Sequence, residues 1–134
     1  MSLKSARNWI LKAESDLKVA KDQLNTEEPA TDAICFHSEQ CAEKYLKAYL
    51  IFYQREIPRT HNIAELIFRC AEVNAQFKAL LDTDIPLLTS YAVVMRYPGE
   101  ELFPPVEEAR EAVKLAERVK AFVLESLAKE GFEL

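Results

Sequence analysis

The chain has 134 residues, 49% of them apolar and 29% charged, with a net charge of −5 and only 2 glycines. That is enough chain for one ordinary globular domain, and the scarcity of glycine argues against a turn-rich β architecture or a glycine-lined phosphate cradle. The acidic balance argues against a broadly basic protein that coats duplex nucleic acid, although a local basic patch remains compatible with it.

Residues 3–24 read as an amphipathic helix. Leu3, Ala6, Trp9, Ile10, Ala13, Leu17, Ala20 and Leu24 recur at helical spacing and fall within an arc of roughly 120°. Residues 25–31 supply loop chemistry, with Pro29 suited to a helix start. Residues 31–53 form a second helix that is apolar over most of its circumference. Ile34, Cys41, Ala42, Tyr45, Leu46, Tyr49 and Phe52 share one face, while Leu50 and Ile51 lie outside it. Such a helix is buried among neighbours or shared with a partner. His37, Gln40, Lys44 and Lys47 form its one polar stripe.

Beyond Pro58, Asn62 followed by Glu65 resembles a capping box and opens a third helix. Ile63, Leu66, Ile67, Cys70, Val73, Phe77, Leu80 and Leu81 make its apolar face, and Asn74 on that face suggests a break within residues 73–76. Residues 83–86 stop and restart the chain into a short helix over about 85–96, and residues 97–105, rich in proline, form a loop. The last helix starts near Pro105, with Glu107 and Glu108 in its first turn, where the helix dipole favours acids. Val106, Ala109, Val113, Ala116, Val119, Val123 and Leu127 form its core stripe, which Leu115 and Phe122 widen. The fold class expected is therefore all-α, an up-and-down four-helix bundle with one additional short helix, built as a single domain over residues 1–134.

No Walker loop, zinc signature or nucleophile elbow is present, and neither a cofactor nor a metal is expected. Cys35, Cys41 and Cys70 contain no C-x-x-C pair and read as small buried hydrophobes in a reducing compartment. The charged N-terminus is no signal peptide and the apolar runs are too short to span a membrane, so a cytoplasmic protein is expected. The stripe on the second helix has two readings, a solvated face or a surface that meets phosphates. His61, beside Asn62, reads as a residue of the helix start. Arg96 either stabilises a helix C-terminus or projects into a cleft.

Several separated runs resemble the HEPN (higher eukaryotes and prokaryotes nucleotide-binding) family. Phe36-His37, then Gln40, Ala42-Glu43-Lys44 and Leu46-Lys47-Ala48 are similar to its second helix. Thr60-His61 looks like its turn into the third, and Arg96-Tyr97-Pro98 matches its Arg-Tyr-Pro. Trp9 with Ala13-Glu14 and Asp16-Leu17 fits its opening helix, so the resemblance runs from about Ala6 to Leu127. It implies a small helical bundle, often homodimeric and often encoded beside a minimal nucleotidyltransferase in a toxin-antitoxin-like pair. Ribonuclease-active members carry Arg, then four to six residues, then His, and some add a Tyr two positions on. Here Glu101 and Phe103 stand at those places, and Leu102 and Phe103 fill the wider windows. Arg55 and His61 also have the spacing, but in another loop.

The resemblance and the missing His point to a binding module with weak or no catalysis, partnered by a minimal nucleotidyltransferase and contacting nucleotide or RNA. The alternative is a metal-independent endoribonuclease with an altered site centred on Arg96, with Glu101 as its other candidate. A third reading is a structural bundle without a ligand. A homodimer is expected from the girth of the second helix and from Leu115 and Phe122. Arg96, Tyr97, His37, Lys44 and Lys47 are expected to line one anion-accepting cleft, unless Glu43 or Glu101 neutralises these cations internally.

Overall fold

The computed structural model of the protein describes residues 3–92 and 103–132. Helix α1 (Leu3–Leu24) buries Ala6, Ile10, Ala13, Leu17 and Ala20. Three of these are alanines seven residues apart, a stripe of small side chains that lets a neighbouring helix approach closely. After a short loop, α2 (Thr31–Phe52) runs back along it. Asp16 meets His37 and Lys44, Glu14 meets Tyr45, and Trp9 meets Lys47, so numbers on α1 fall as those on α2 rise. The pair is antiparallel, as a short connection favours.

Helix α2 is the centre of the molecule. It packs on α1, on α3 (Ile63–Val73), on α4 (Val106–Lys129) and on a 3-10 helix at Ile85–Tyr91. Buried residues accordingly surround it, 14 of its 22. The apolar girth read from the sequence is thus accounted for within the chain. Helix α4 buries Ala109, Val113, Ala116, Val119, Val123 and Leu127, the expected stripe less Val106, which is exposed at its first position. It lies antiparallel to α1, tied by Lys120 to Glu14 at 2.9 Å and by Lys21 to Glu117 at 3.3 Å.

Residues 53–62 carry the chain back along α2, so α3 begins beside Glu43 and its Cys70 reaches the Leu46 carbonyl at 3.5 Å. The start of α3 is capped by Asn62, whose Oδ1 accepts the Glu65 N–H at 3.1 Å, while the Asn62 N–H goes to Thr60 Oγ1 rather than to the Glu65 side chain of a capping box. Among the described residues, α3 packs only on α2 and on two 3-10 helices. Its break falls at Asn74, which ends α3 and caps the 3-10 helix Ala75–Asp82 by accepting the Gln76 N–H. There Phe77 packs between Tyr49 and Phe122, with ring centroids 4.5 and 4.8 Å away. Phe122 and the partly buried Leu115 therefore widen this chain's own core rather than an outer face.

Thr83 separates the two 3-10 helices by donating to the Leu80 carbonyl and accepting the Ile85 N–H. The short helix expected over 85–96 is a 3-10 helix through Tyr91, and its remainder falls outside the described residues. Four α-helices and two 3-10 helices, the third expected helix being divided at Asn74, match the all-helical fold read from the sequence. Among the described residues no helix is long and apolar enough to cross a membrane.

Candidate functional site

The polar stripe of α2 lies at its seam with α1, and carboxylates meet it there. Asp16 accepts from His37 Nδ1 at 2.8 Å and from Lys44 Nζ at 2.6 Å. One turn along, Lys47 Nζ donates to Glu43 Oε1 at 2.5 Å, and its ammonium lies 5.7 Å from the centre of the Trp9 ring. Glu43 also holds His61 from the start of α3, whose Nδ1 sits 3.1 Å from both carboxylate oxygens. Gln40 turns to Glu39, with Nε2 at 2.8 Å from Oε1. Internal neutralisation of the cations is what the described residues show, and Glu43 serves Lys47 as the sequence allowed. Asp16 is the partner the sequence reading did not supply.

Two carboxyl groups are buried together. Glu39 is fully buried and Glu43 nearly so, one helical turn apart on α2. Burial pushes Glu39 up to about 9, and the hydrogen bond and charge of Glu43 push the same way. Glu39 Oε2 has no donor near it, so as a carboxylate it would be an orphaned acceptor. As a carboxylic acid it donates to Glu43, which removes that cost. Burial opposes ionisation of Glu43 too, but hydrogen bonds from Glu39, Lys47 and His61 outweigh it and hold its carboxyl below the ordinary range. The pair thus keeps one proton on Glu39 and one negative charge on Glu43.

A third polar contact closes the far side of the seam. Tyr45 donates its hydroxyl to Glu14, which also takes the Lys120 ammonium. Burial works against the Glu14 charge, yet these two bonds keep its carboxyl below its ordinary value. Tyr45 itself is raised by burial and by Glu14, so its hydroxyl stays a donor.

The open part of the seam is a shallow groove of about 480 Å³ lined by Ser5, Asn8, Trp9, Lys12 and Lys44. It offers two ammonium groups, a hydroxyl, a carboxamide and an indole, with no carboxylate among the described residues of its lining. Lys44 reaches it while bound to Asp16, and its side chain is 25% exposed. These groups suit a planar ring carrying negative charge.

Of the residues expected at one cleft, His37, Lys44 and Lys47 are brought onto this seam. Arg96, Tyr97 and Glu101 lie outside the described residues. Phe103, where some relatives would carry Tyr, is exposed. The three cysteines are free and buried, and burial pushes the Cys35 thiol up to about 11. Asp16, Glu39 and His61 are the site residues that sequence reasoning missed, while Glu43 was foreseen as an internal counter-charge. A signal existed for the carboxyl groups. Asp16 is three residues after Ala13 and four before Ala20, on the buried face of α1, and Glu39 and Glu43 are like charges at i and i+4 on a helix expected to be buried.

A family model described as HEPN domain matches residues 6–127. A protein of Methanocaldococcus jannaschii named "Putative toxin MJ1304" is 35% identical over 148 aligned positions, which take in 99% of this chain and 94% of that one. The crystal structure of TT1696 from Thermus thermophilus is similar to this structure, with a TM-score of 0.70 and 27% identity, covering 90% of this chain and 96% of that one.

Proposed function

The chain belongs to the HEPN domain family, and we propose that it acts as a toxin-antitoxin-like binding module whose partner is a minimal nucleotidyltransferase. The observation that carries this is the seam itself. Residues from three separate resembling runs (Trp9, Asp16, His37, Glu43, Lys44, Lys47 and His61) come together along one side of α2. Packing alone does not require that much charge on the central helix, because buried charge is costly unless paired. A relative named as a candidate toxin supports the same direction.

The ligand in this reading is a nucleotide or a short RNA. Its phosphate meets Lys12 and Lys44, and Arg96, Tyr97, His37 and Lys47 are the further ligand residues of this proposal. Since Lys44 is held by Asp16, the anion shares that ammonium rather than replacing the carboxylate. Millimolar nucleotide or short single-stranded RNA should raise the melting temperature of the folded chain by mass action. Lys44→Glu and Arg96→Glu should abolish the rise. No shift with any of these ligands would remove the anion site and leave only the partner role, which co-purification with a co-expressed nucleotidyltransferase tests separately. Self-association into a homodimer belongs to the same proposal, and a monomer mass by light scattering at micromolar concentration would end it.

A second reading, a metal-independent endoribonuclease centred on Arg96 with Glu101 beside it, is favoured by one observation. The protein presents an imidazole backed by a buried carboxylate, His61 on Glu43.

A further inference from the structure

We propose that the hollow between α3 and the segment that follows α2 binds a free α-amino acid, by its ammonium and its carboxylate together. The site is separate from the seam and independent of the function proposed there.

The hollow holds about 360 Å³ and is lined by Leu50, Arg55, Glu56, Pro58, Arg69 and Glu72. That volume lies at the small end of the range for ligand clefts, roughly 300 to 1,000 Å³. One wall is the segment after α2, with Arg55 and Glu56, and the other is α3, with Arg69 and Glu72. Leu50 of α2, only 1% exposed, forms the floor.

The backbone sets the first wall. The chain leaves α2 with the Gln54 N–H on the Ile51 carbonyl and the Arg55 N–H on the Leu50 carbonyl, both at 2.9 Å. Gln54 turns left-handed there, at φ 56°, in a helix ending where glycine is the usual residue. Pro58 restricts the chain again, and its carbonyl accepts the Thr60 N–H at 3.0 Å. The wall thus stands before any ligand arrives, which lowers the ordering cost of binding.

Two guanidinium and two carboxylate groups share this hollow without pairing across it. Among the described residues Arg55 and Glu56 make no ion pair, and Arg69 meets only Glu72 of its own helix. That contact is 3.5 Å long between side chains 52% and 62% exposed, so it gives way at little cost to a better-placed ligand.

The balance of charge selects what fits. A phosphate would gain from the guanidinium groups but would meet Glu56 and Glu72, and a polyamine would meet the reverse difficulty. A ligand carrying both signs gains from all four groups. Its carboxylate matches the planar fork of one arginine, while its ammonium donates to a carboxylate of the opposite wall. Both charges on one carbon, with a small apolar side chain over Leu50 and Pro58, describe an amino acid such as leucine. A protein terminus carries only one of the two charges. Because the four charged groups are solvated, the Kd should be on the order of 1 mM.

The test is titration of the isotope-labelled full chain with leucine, leucinamide and N-acetylleucine, followed by NMR. Leucinamide lacks the carboxylate and mimics a chain N-terminus, and N-acetylleucine lacks the ammonium and mimics a C-terminus. Leucine should give saturable shifts at residues 54–57 and 69–72, and each derivative should bind about 10-fold more weakly. Arg69→Gln and Glu72→Gln, both at exposed positions, should keep the melting temperature and lose leucine binding by a similar factor. N-acetylleucine binding as well as leucine would overturn the proposal in favour of a simple anion site, and leucinamide doing so would overturn it in favour of a cation site. Shifts that survive Arg69→Gln, or no saturation by about 50 mM leucine, would overturn it outright.

Discussion

Helices α2 and α4 are of similar length and pack against each other, yet they bury different chemistry. Of the eight residues α4 buries, only Ser126 is polar, and its hydroxyl is satisfied by the Phe122 carbonyl one turn back at 2.8 Å. Helix α2 buries Thr31, Ser38, Glu39 and Glu43, two of them carboxyl groups. The core could have been closed with apolar residues in those places at no loss of burial, as α4 shows. Helix α4 is therefore scaffold, and the polar residues of α2 are kept for what they hold. Glu43 is held by Lys47 of α2 and by His61 before α3, while Asp16 of α1 holds the partly exposed His37 and Lys44 of the same helix.

The contrast is broken most directly at Glu43. Glu43→Ala leaves Lys47 nearly buried without its carboxylate, and should cost about 4 kcal/mol, as removal of one member of a buried pair generally does. Urea unfolding of the variant should show that loss, and the loss should shrink in the double variant with Lys47→Met. A loss under about 1 kcal/mol would mean the seam is wetter than its burial indicates. On the other helix, Leu127→Ala should cost about 3 kcal/mol through lost apolar contact and a residual cavity. That loss should be the same at acid and neutral pH, because no titrating group is involved.

The smallest effect at neutral pH should come from Glu39→Gln. The native carboxyl already carries a proton there, so an isosteric amide should change stability by only about 1 kcal/mol. Its signature is the pH dependence. Glu39 is raised from an ordinary 4.5 to about 9 in the folded chain. Between those values the native state holds a proton that the unfolded chain has lost, so stability falls as pH rises from about 4.5 to 9. The stabilisation is fully present below the lower value. Glu39→Gln should flatten this slope in thermal melts, and a slope unchanged by the substitution would assign it to another group.

Much of this was readable beforehand, and the reasons differ by element. Helices α1 and α4 carry charge on one side and apolar residues on the other, so the 3.6-residue period marks both their limits and their buried faces. Asn74 announced its break because an amide among apolar positions competes for backbone N–H groups, and it caps Gln76 as such a residue should. The two 3-10 helices were not distinguishable from α-helix, because over seven or eight residues a period of 3.0 and one of 3.6 bring nearly the same side chains inward. At the candidate site the cations His37, Lys44 and Lys47 were legible as a stripe. Their pairing was not, since Asp16 lies 21 residues from His37 and Glu43 lies 18 from His61, and only the return of residues 53–62 along α2 brings the latter together. Where the Arg96 loop is concerned, sequence resemblance alone speaks, because its residues fall outside those described.

The three sealed thiols turn the molecule into its own clock of breathing motions. Cys35 and Cys41 sit on α2, which is covered by α1 and α4, while Cys70 sits on α3, which is held only by α2 and the 3-10 helices among the described residues. An alkylating reagent can reach each sulfur only when the surrounding elements part, and local opening is easiest where an element has fewest neighbours. Cys70 should be modified first, through detachment of α3, and Cys41 last, through separation of α1 from α2. The order in which the thiols disappear would thus record the order in which the protein comes apart.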